Sequence, residues 1–229
     1  MLNIGIVACS TEGAALCYRT ISLEGSKMLG QHDHPEVSLH SFSLAQYMKS
    51  IDANDWAGVA ELMRASGEKL AKASADFLIC PDNTIHQAFD LVEHRSARPW
   101  LHIAREVAKE AQQRQLKRLA VLGTRYLMEG PVYREALKTA GIEFRVPGPE
   151  QRARINQIIF DELVNGQFLP RSLAYYVEVI RGLKDEGCDG VVLGCTEIPL
   201  LVTPESSPLP TLDSTRILAR AAVKKSLEG

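Results

Sequence analysis

The chain has 229 residues, 45% of them hydrophobic, and its 26 basic and 28 acidic side chains leave a formal charge of −2. This is an ordinary globular composition, long enough for one large or two small domains. The balanced charge offers no basic footprint for nucleic acid and no polybasic anchor for a membrane, and no apolar stretch approaches the ~20 residues that span a bilayer.

The chain opens on Met1-Leu2-Asn3-Ile4 with no basic segment before the first apolar residues, so no signal peptide is read and a cytoplasmic protein is expected. Asn3 to Ala8 reads as a strand and Cys9 to Gly13 as the loop that closes it. Ser10 can cap the next helix or hydrogen-bond a ligand carboxylate, and the two roles are compatible. A helix is expected from Ala14 to Glu24, then a polar loop from Gln31 to Pro35. Its His32 and His34 have no third ligand nearby, so no metal site is read. Val37 to Phe42 alternates as a strand. Asn54 to Ala73 carries Trp56, Val59, Leu62 and Met63 at helical spacing, a core stripe. Asp76 to Cys80 is the third strand, with Asp82, Asn83 and Thr84 in the loop beyond it and His86 opening the next helix.

Arg95 to Pro99 marks a boundary, followed by an expected helix from Pro99 to Gln115 and a strand from Leu119 that ends at Gly123-Thr124-Arg125. Arg125 reads as a carboxylate clamp or a solvated side chain. Glu129 to Ala140 is helical and stops at Gly141, Ile142 to Val146 is a short strand, and Pro149 to Val164 and Ser172 to Glu186 are amphipathic helices. The charge-free run Gly190 to Leu193 reads as a strand buried on both faces. Cys195 follows at a strand-to-helix junction, on the sheet edge where open α/β folds place ligands. Amides at a helix start would lower its pKa from about 8.5; the other reading is a buried small apolar residue. Thr203 to Pro210 is a proline-rich crossing linker, and Thr211 to Ser214 caps a last helix expected to pack on the first half. The five cysteines show no C-x-x-C or metal spacing, which fits reduced thiols.

One stretch occurs twice. Ala75-Asp76-Phe77-Leu78-Ile79-Cys80-Pro81-Asp82 aligns without a gap on Cys188-Asp189-Gly190-Val191-Val192-Leu193-Gly194-Cys195. Ile4 to Cys9 likewise matches Leu119 to Thr124, and the spacing is 82 − 4 = 78 positions in the first half and 195 − 119 = 76 in the second. Two copies in register predict a duplicated unit: an α/β protein of two pseudo-symmetric, doubly wound parallel-sheet lobes facing each other across a cleft. The expected lobes are 1–97 plus 208–229, and 98–207. In that arrangement Asp82 and Cys195 approach the cleft from opposite sides.

At these residues the sequence resembles the aspartate/glutamate racemase family. Pro81-Asp82-Asn83-Thr84-Ile85-His86 is similar to the family's Pro-Cys-Asn-Thr-x-His, and Leu193-Gly194-Cys195-Thr196-Glu197-Ile198-Pro199 matches its Leu-Gly-Cys-Thr-Glu-Ile-Pro. Gly123-Thr124-Arg125, Met128-Glu129-Gly130 and Ile158 to Leu163 are also similar. One departure stands out: Asp82 occupies the place of the first catalytic cysteine.

The resemblance implies a cofactor-independent isomerase, a racemase or epimerase of an amino acid such as aspartate or glutamate, acting as a homodimer. Racemisation removes a Cα proton on one face and returns one on the other, the work of two opposed groups. Here these would be Asp82 and Cys195, with one proton shared over the pair. Ser10, Asn83, Thr84, Thr124, Thr196 and Glu197 would bind the amino-acid or dicarboxylate substrate. No residue in the first half is an evident clamp for a side-chain carboxylate. Two other readings stay open: a decarboxylase-like enzyme that uses Cys195 alone to protonate an enolate, and a ligand-binding homologue without catalysis.

Overall fold

The computed structural model describes residues 1–229. The chain divides into two compact units, Met1–Ile103 with Thr215–Gly229, and Ala104–Ser214.

The first unit begins with β1 (Ile4–Ala8), α1 (Thr11–Leu29), β2 (Val37–Ser41), α2 (Leu44–Asp52), α3 (Trp56–Lys72) and β3 (Phe77–Ile79). A 3-10 turn at Thr84–Ala88 then runs into α4 (Phe89–Glu93), and β4 (Trp100–Leu101) ends this stretch. The strands form one parallel sheet in the order β2-β1-β3-β4. The second unit holds α5 (Ile103–Gln113), β5 (Arg118–Leu122), α6 (Arg125–Glu129), α7 (Val132–Thr139), β6 (Glu143–Arg145) and α8 (Pro149–Asp161). After a short 3-10 turn come α9 (Pro170–Asp185), β7 (Gly190–Leu193), α10 (Ile198–Leu201) and β8 (Thr211–Asp213). Its sheet is parallel in the matching order, β6-β5-β7-β8. The last helix, α11 (Ser214–Leu227), returns to the first unit.

The repeat in sequence is a repeat in pairing. Ile4 lies opposite Phe77 as Leu119 lies opposite Gly190. The aspartate before each inner strand latches the neighbouring one: Asp76 accepts from the Asn3 amide at 2.8 Å, and Asp189 accepts from the Lys117 and Arg118 amides at 2.7 and 3.0 Å. Both β3 and β7 are buried along their whole length, as a sheet covered on both faces requires. In the first unit Ile4, Ile6, Phe77 and Ile79 pack with Leu218, Ala219, Ala222 and Val223 of α11. In the second, Leu122, Val191 and Leu193 pack with Ile155, Ile159, Tyr176 and Ile180.

Several elements differ from the sequence reading. Helix α1 starts at Thr11, because Ser10 caps it by accepting from the Gly13 amide, and runs on to Leu29. Gly25 does not stop it: a Cβ there would lie 2.8 Å from the His34 backbone, so the glycine lets the polar loop close on the helix. Helix α2 buries only Tyr47 and Ile51, a stripe too narrow to stand out in the sequence. The expected helix from Pro99 starts instead at Ile103, because Trp100 and Leu101 pair with Leu78 and Ile79. Likewise Thr211–Asp213 forms a strand on β7 before the final helix begins. At Trp100–Leu101 sheet pairing outweighs local helical periodicity, and at Thr211–Asp213 it turns an expected cap into a strand.

Candidate active site

In the first unit the loops after β1 and β3 meet at Asp82. Its carboxylate accepts from the Cys9 amide at 3.2 Å and from the Ser10 amide at 3.1 Å. These donors exist because β1 ends at Ala8 and Ser10 turns the chain into α1, leaving amides at the helix start without helical partners. Asp82 is half-buried, Asn83 is buried, and Thr84 opens the 3-10 turn, all three in one loop.

His86 holds that loop. Its Nδ1 lies 2.9 Å from the Asp82 carbonyl, and its Nε2 accepts from the Ile103 amide at 3.4 Å. An acceptor at Nε2 and a donor at Nδ1 define a neutral imidazole with the proton on Nδ1. The ring stacks on Phe89 and meets the edge of His102. His86 thus acts as a support for Asp82. The nearby thiols are not free to ionise. Burial pushes Cys9 far up, with the Asp82 charge and then Cys80 adding to it. Cys80 is wholly buried, also well above the usual thiol range, and its Sγ faces the Asp82 carbonyl at 3.9 Å.

In the second unit β7 ends at Leu193, and the Gly194 amide donates to the Leu122 carbonyl at 2.8 Å, continuing the ladder to β5. A Cβ on Gly194 would overlap the Leu127 side chain and sit 2.9 Å from that carbonyl, so this close approach needs a glycine. Cys195 follows, half-buried, while Thr196 and Glu197 are buried. The expected helix start beside Cys195 is a single turn, α10, which supplies little dipole. The thiol has a carboxylate as a polar partner: Sγ donates to Glu197 Oε2 at 2.9 Å. Thr124 ends the adjacent strand and caps α6, accepting from the Leu127 amide at 3.4 Å. Arg125 is exposed, its guanidinium over the Tyr126 ring.

Within the first unit, therefore, Ser10, Asp82, Asn83 and Thr84 come together, and within the second, Thr124, Cys195, Thr196 and Glu197. The Cys9 and Ser10 amides that seat Asp82 are not legible in the sequence, because backbone donors leave no residue signature. Glu197, expected as a substrate ligand, accepts a hydrogen bond from the Cys195 thiol through Oε2.

A parallel α/β unit with polar side chains on the carboxyl ends of its inner strands is a ligand-binding and catalytic architecture, and this chain repeats it. The chain belongs to the Asp/Glu/hydantoin racemase family, whose model matches residues 6–222. It is an enzyme of the isomerase class that the family defines. A broad-specificity amino-acid racemase of Bacillus subtilis, RacX, is 26% identical over 201 residues, covering 85% of this chain and 83% of that protein. A Yersinia pestis structure described as an Asp/Glu racemase candidate superposes with a TM-score of 0.92 at 32% identity, covering 99% of this chain and 100% of that one. An aspartate racemase homologue from Pyrococcus horikoshii OT3 superposes with a TM-score of 0.86 at 28% identity, covering 99% and 100%.

Proposed function

We propose that this protein is a cofactor-independent racemase or epimerase of an amino acid, with aspartate or glutamate as substrate, and that Asp82 and Cys195 carry the Cα proton on opposite faces. The observation that carries this reading is a difference in hydrogen-bond role. The Asp82 carboxylate accepts from the Cys9 and Ser10 amides, whereas the Cys195 thiol donates to Glu197. One group is ready to take a proton and the other to give one.

Asp82 removes the Cα proton, leaving a planar carbanion whose charge spreads onto the substrate carboxylate. Cys195 then delivers its proton to the other face and becomes a thiolate beside Glu197. The reverse direction starts from that thiolate and the protonated Asp82, so the pair carries one proton before and after each conversion and two while the carbanion stands between them. Ser10, Asn83, Thr84, Thr124 and Thr196 hold the substrate carboxylate and its developing charge.

The test is incorporation of solvent deuterium at Cα of D- and L-aspartate and D- and L-glutamate, followed by NMR. Deuterium in both enantiomers of one of them is expected; none in any would overturn the reading. The second reading, a one-thiol decarboxylase, is favoured by the presence of a single half-buried thiol among otherwise buried cysteines. It would show as CO₂ release from a substituted malonate that Cys195→Ala abolishes.

A further inference from the structure

Buried polar atoms in folded proteins are nearly always paired, and an unpaired one calls for an explanation. Two side-chain oxygens here are fully buried without a hydrogen-bond partner, the hydroxyls of Tyr47 and Tyr176. Their positions are related. Tyr47 lies on α2, within the field of Cys80, Cys9 and Asp82. Tyr176 lies on α9, in the core against which Cys195 packs, within the field of Cys195, Glu162 and Glu197. Each helix belongs to the connection between the second and third strands of its unit, and each places an orphaned hydroxyl near the side chain read above as a proton carrier.

For Tyr176 the neighbouring groups narrow its use. Glu162 already has donors, the Ser172 hydroxyl and Arg171 at 3.4 Å. Tyr175 is itself a neutral phenol at this site, its own pKa raised by burial. Glu197 accepts from the Cys195 thiol. When that thiol gives up its proton the bond disappears, and a thiolate stands beside a carboxylate with a phenol close by. Burial keeps the Tyr176 hydroxyl protonated, so it can only donate to such a pair.

We infer that Tyr176 is a positioning residue for Cys195: its hydroxyl, idle while the thiol is protonated, donates to the Cys195–Glu197 pair once the thiol has lost its proton. The inference rests on the proposed function only in taking Cys195 as the thiol that titrates. Deprotonation moves the proton to substrate or solvent and breaks one hydrogen bond, and the tyrosine supplies another.

The experiment is alkylation of Cys195 by iodoacetamide without substrate, from neutral to alkaline pH, with the label located by peptide mass. In Tyr176→Phe the curve should move to higher pH, so that the rate at neutral pH falls about tenfold, as expected for one hydrogen bond to a charged group. Thermal stability should hold or rise, since the variant removes an unpaired buried hydroxyl. If Tyr176→Phe does not fold, Tyr176→Met carries the same expectation. Superimposable curves in a folded variant overturn the inference, even if racemisation falls. A shifted curve in a protein that racemises nothing supports it and counts against the proposed function alone.

Discussion

Asp82 accepts from the Cys9 and Ser10 amides and Cys195 donates to the Glu197 carboxylate, and the variants that test them differ accordingly. Asp82→Asn keeps the shape but cannot take a proton, and Cys195→Ser keeps a donor to Glu197 but is a poor acid. Each should lower the racemisation rate by about 10²- to 10⁴-fold, the usual contribution of one acid–base group. Polarimetry on both enantiomers checks this, and a variant that keeps a tenth of the parent rate would remove that residue from the chemistry. Glu162 belongs to a different class. The Ser172 hydroxyl, and after it Arg171, hold its carboxyl below the usual range. A depressed carboxyl stabilises the fold above its unfolded pKa of about 4.3 and loses that contribution as the pH falls through the folded value. The stability gap between the parent and Glu162→Gln should therefore be present at neutral pH and close in acid. A gap that widens in acid would refute the assignment.

At the scale of elements, the aspartate latches fix how the inner strands sit against their neighbours. Asp76 satisfies one strand amide and Asp189 satisfies two. Removing either strands those donors, at about 1–3 kcal/mol per buried group and less where the site is wet. Asp189→Ala should lower the urea midpoint more than Asp76→Ala, and the reverse order would show that the latches are not what matters there. Gly194→Ala is the corresponding test of the loop after β7. Its added methyl meets Leu127 and the Leu122 carbonyl, and such overpacking costs about 1–3 kcal/mol. The displacement falls directly on Cys195, so activity should drop further than stability.

At the scale of the molecule, the path of the chain matters most. It leaves the first unit after Ile103 and comes back at Thr215, so α11 covers the sheet that began at Ile4. A fragment of residues 1–103 would expose Ile4, Ile6, Phe77 and Ile79 where that helix packs. Loss of Leu218 and Val223 alone forfeits about 1.5–3 kcal/mol each, a large part of the 5–15 kcal/mol that holds a typical domain. The fragment should be unfolded by circular dichroism and regain structure when a peptide of residues 214–229 is added. The homodimer implied by the family likeness is a separate expectation, checked by a light-scattering mass of two chains.

The charge-free runs at Phe77–Ile79 and Gly190–Leu193, their preceding aspartates and their polar sequels specified by themselves the duplicated parallel α/β plan and the two residues to examine. Buried strands carry that information locally, in an unbroken apolar pattern with polar ends. Tertiary structure alone decided that Trp100–Leu101 and Thr211–Asp213 pair as strands, because a neighbouring strand edge offers backbone partners that local pattern does not reveal. It also decided that Asp82 rests on the amides of Cys9 and Ser10, more than seventy positions away, and that Cys195 meets Glu197. Backbone donors have no side-chain signature, and a buried tyrosine at helical spacing reads as core whether or not its hydroxyl has a partner. Which atoms hold the proton is a property of distances, and distances are set by the fold.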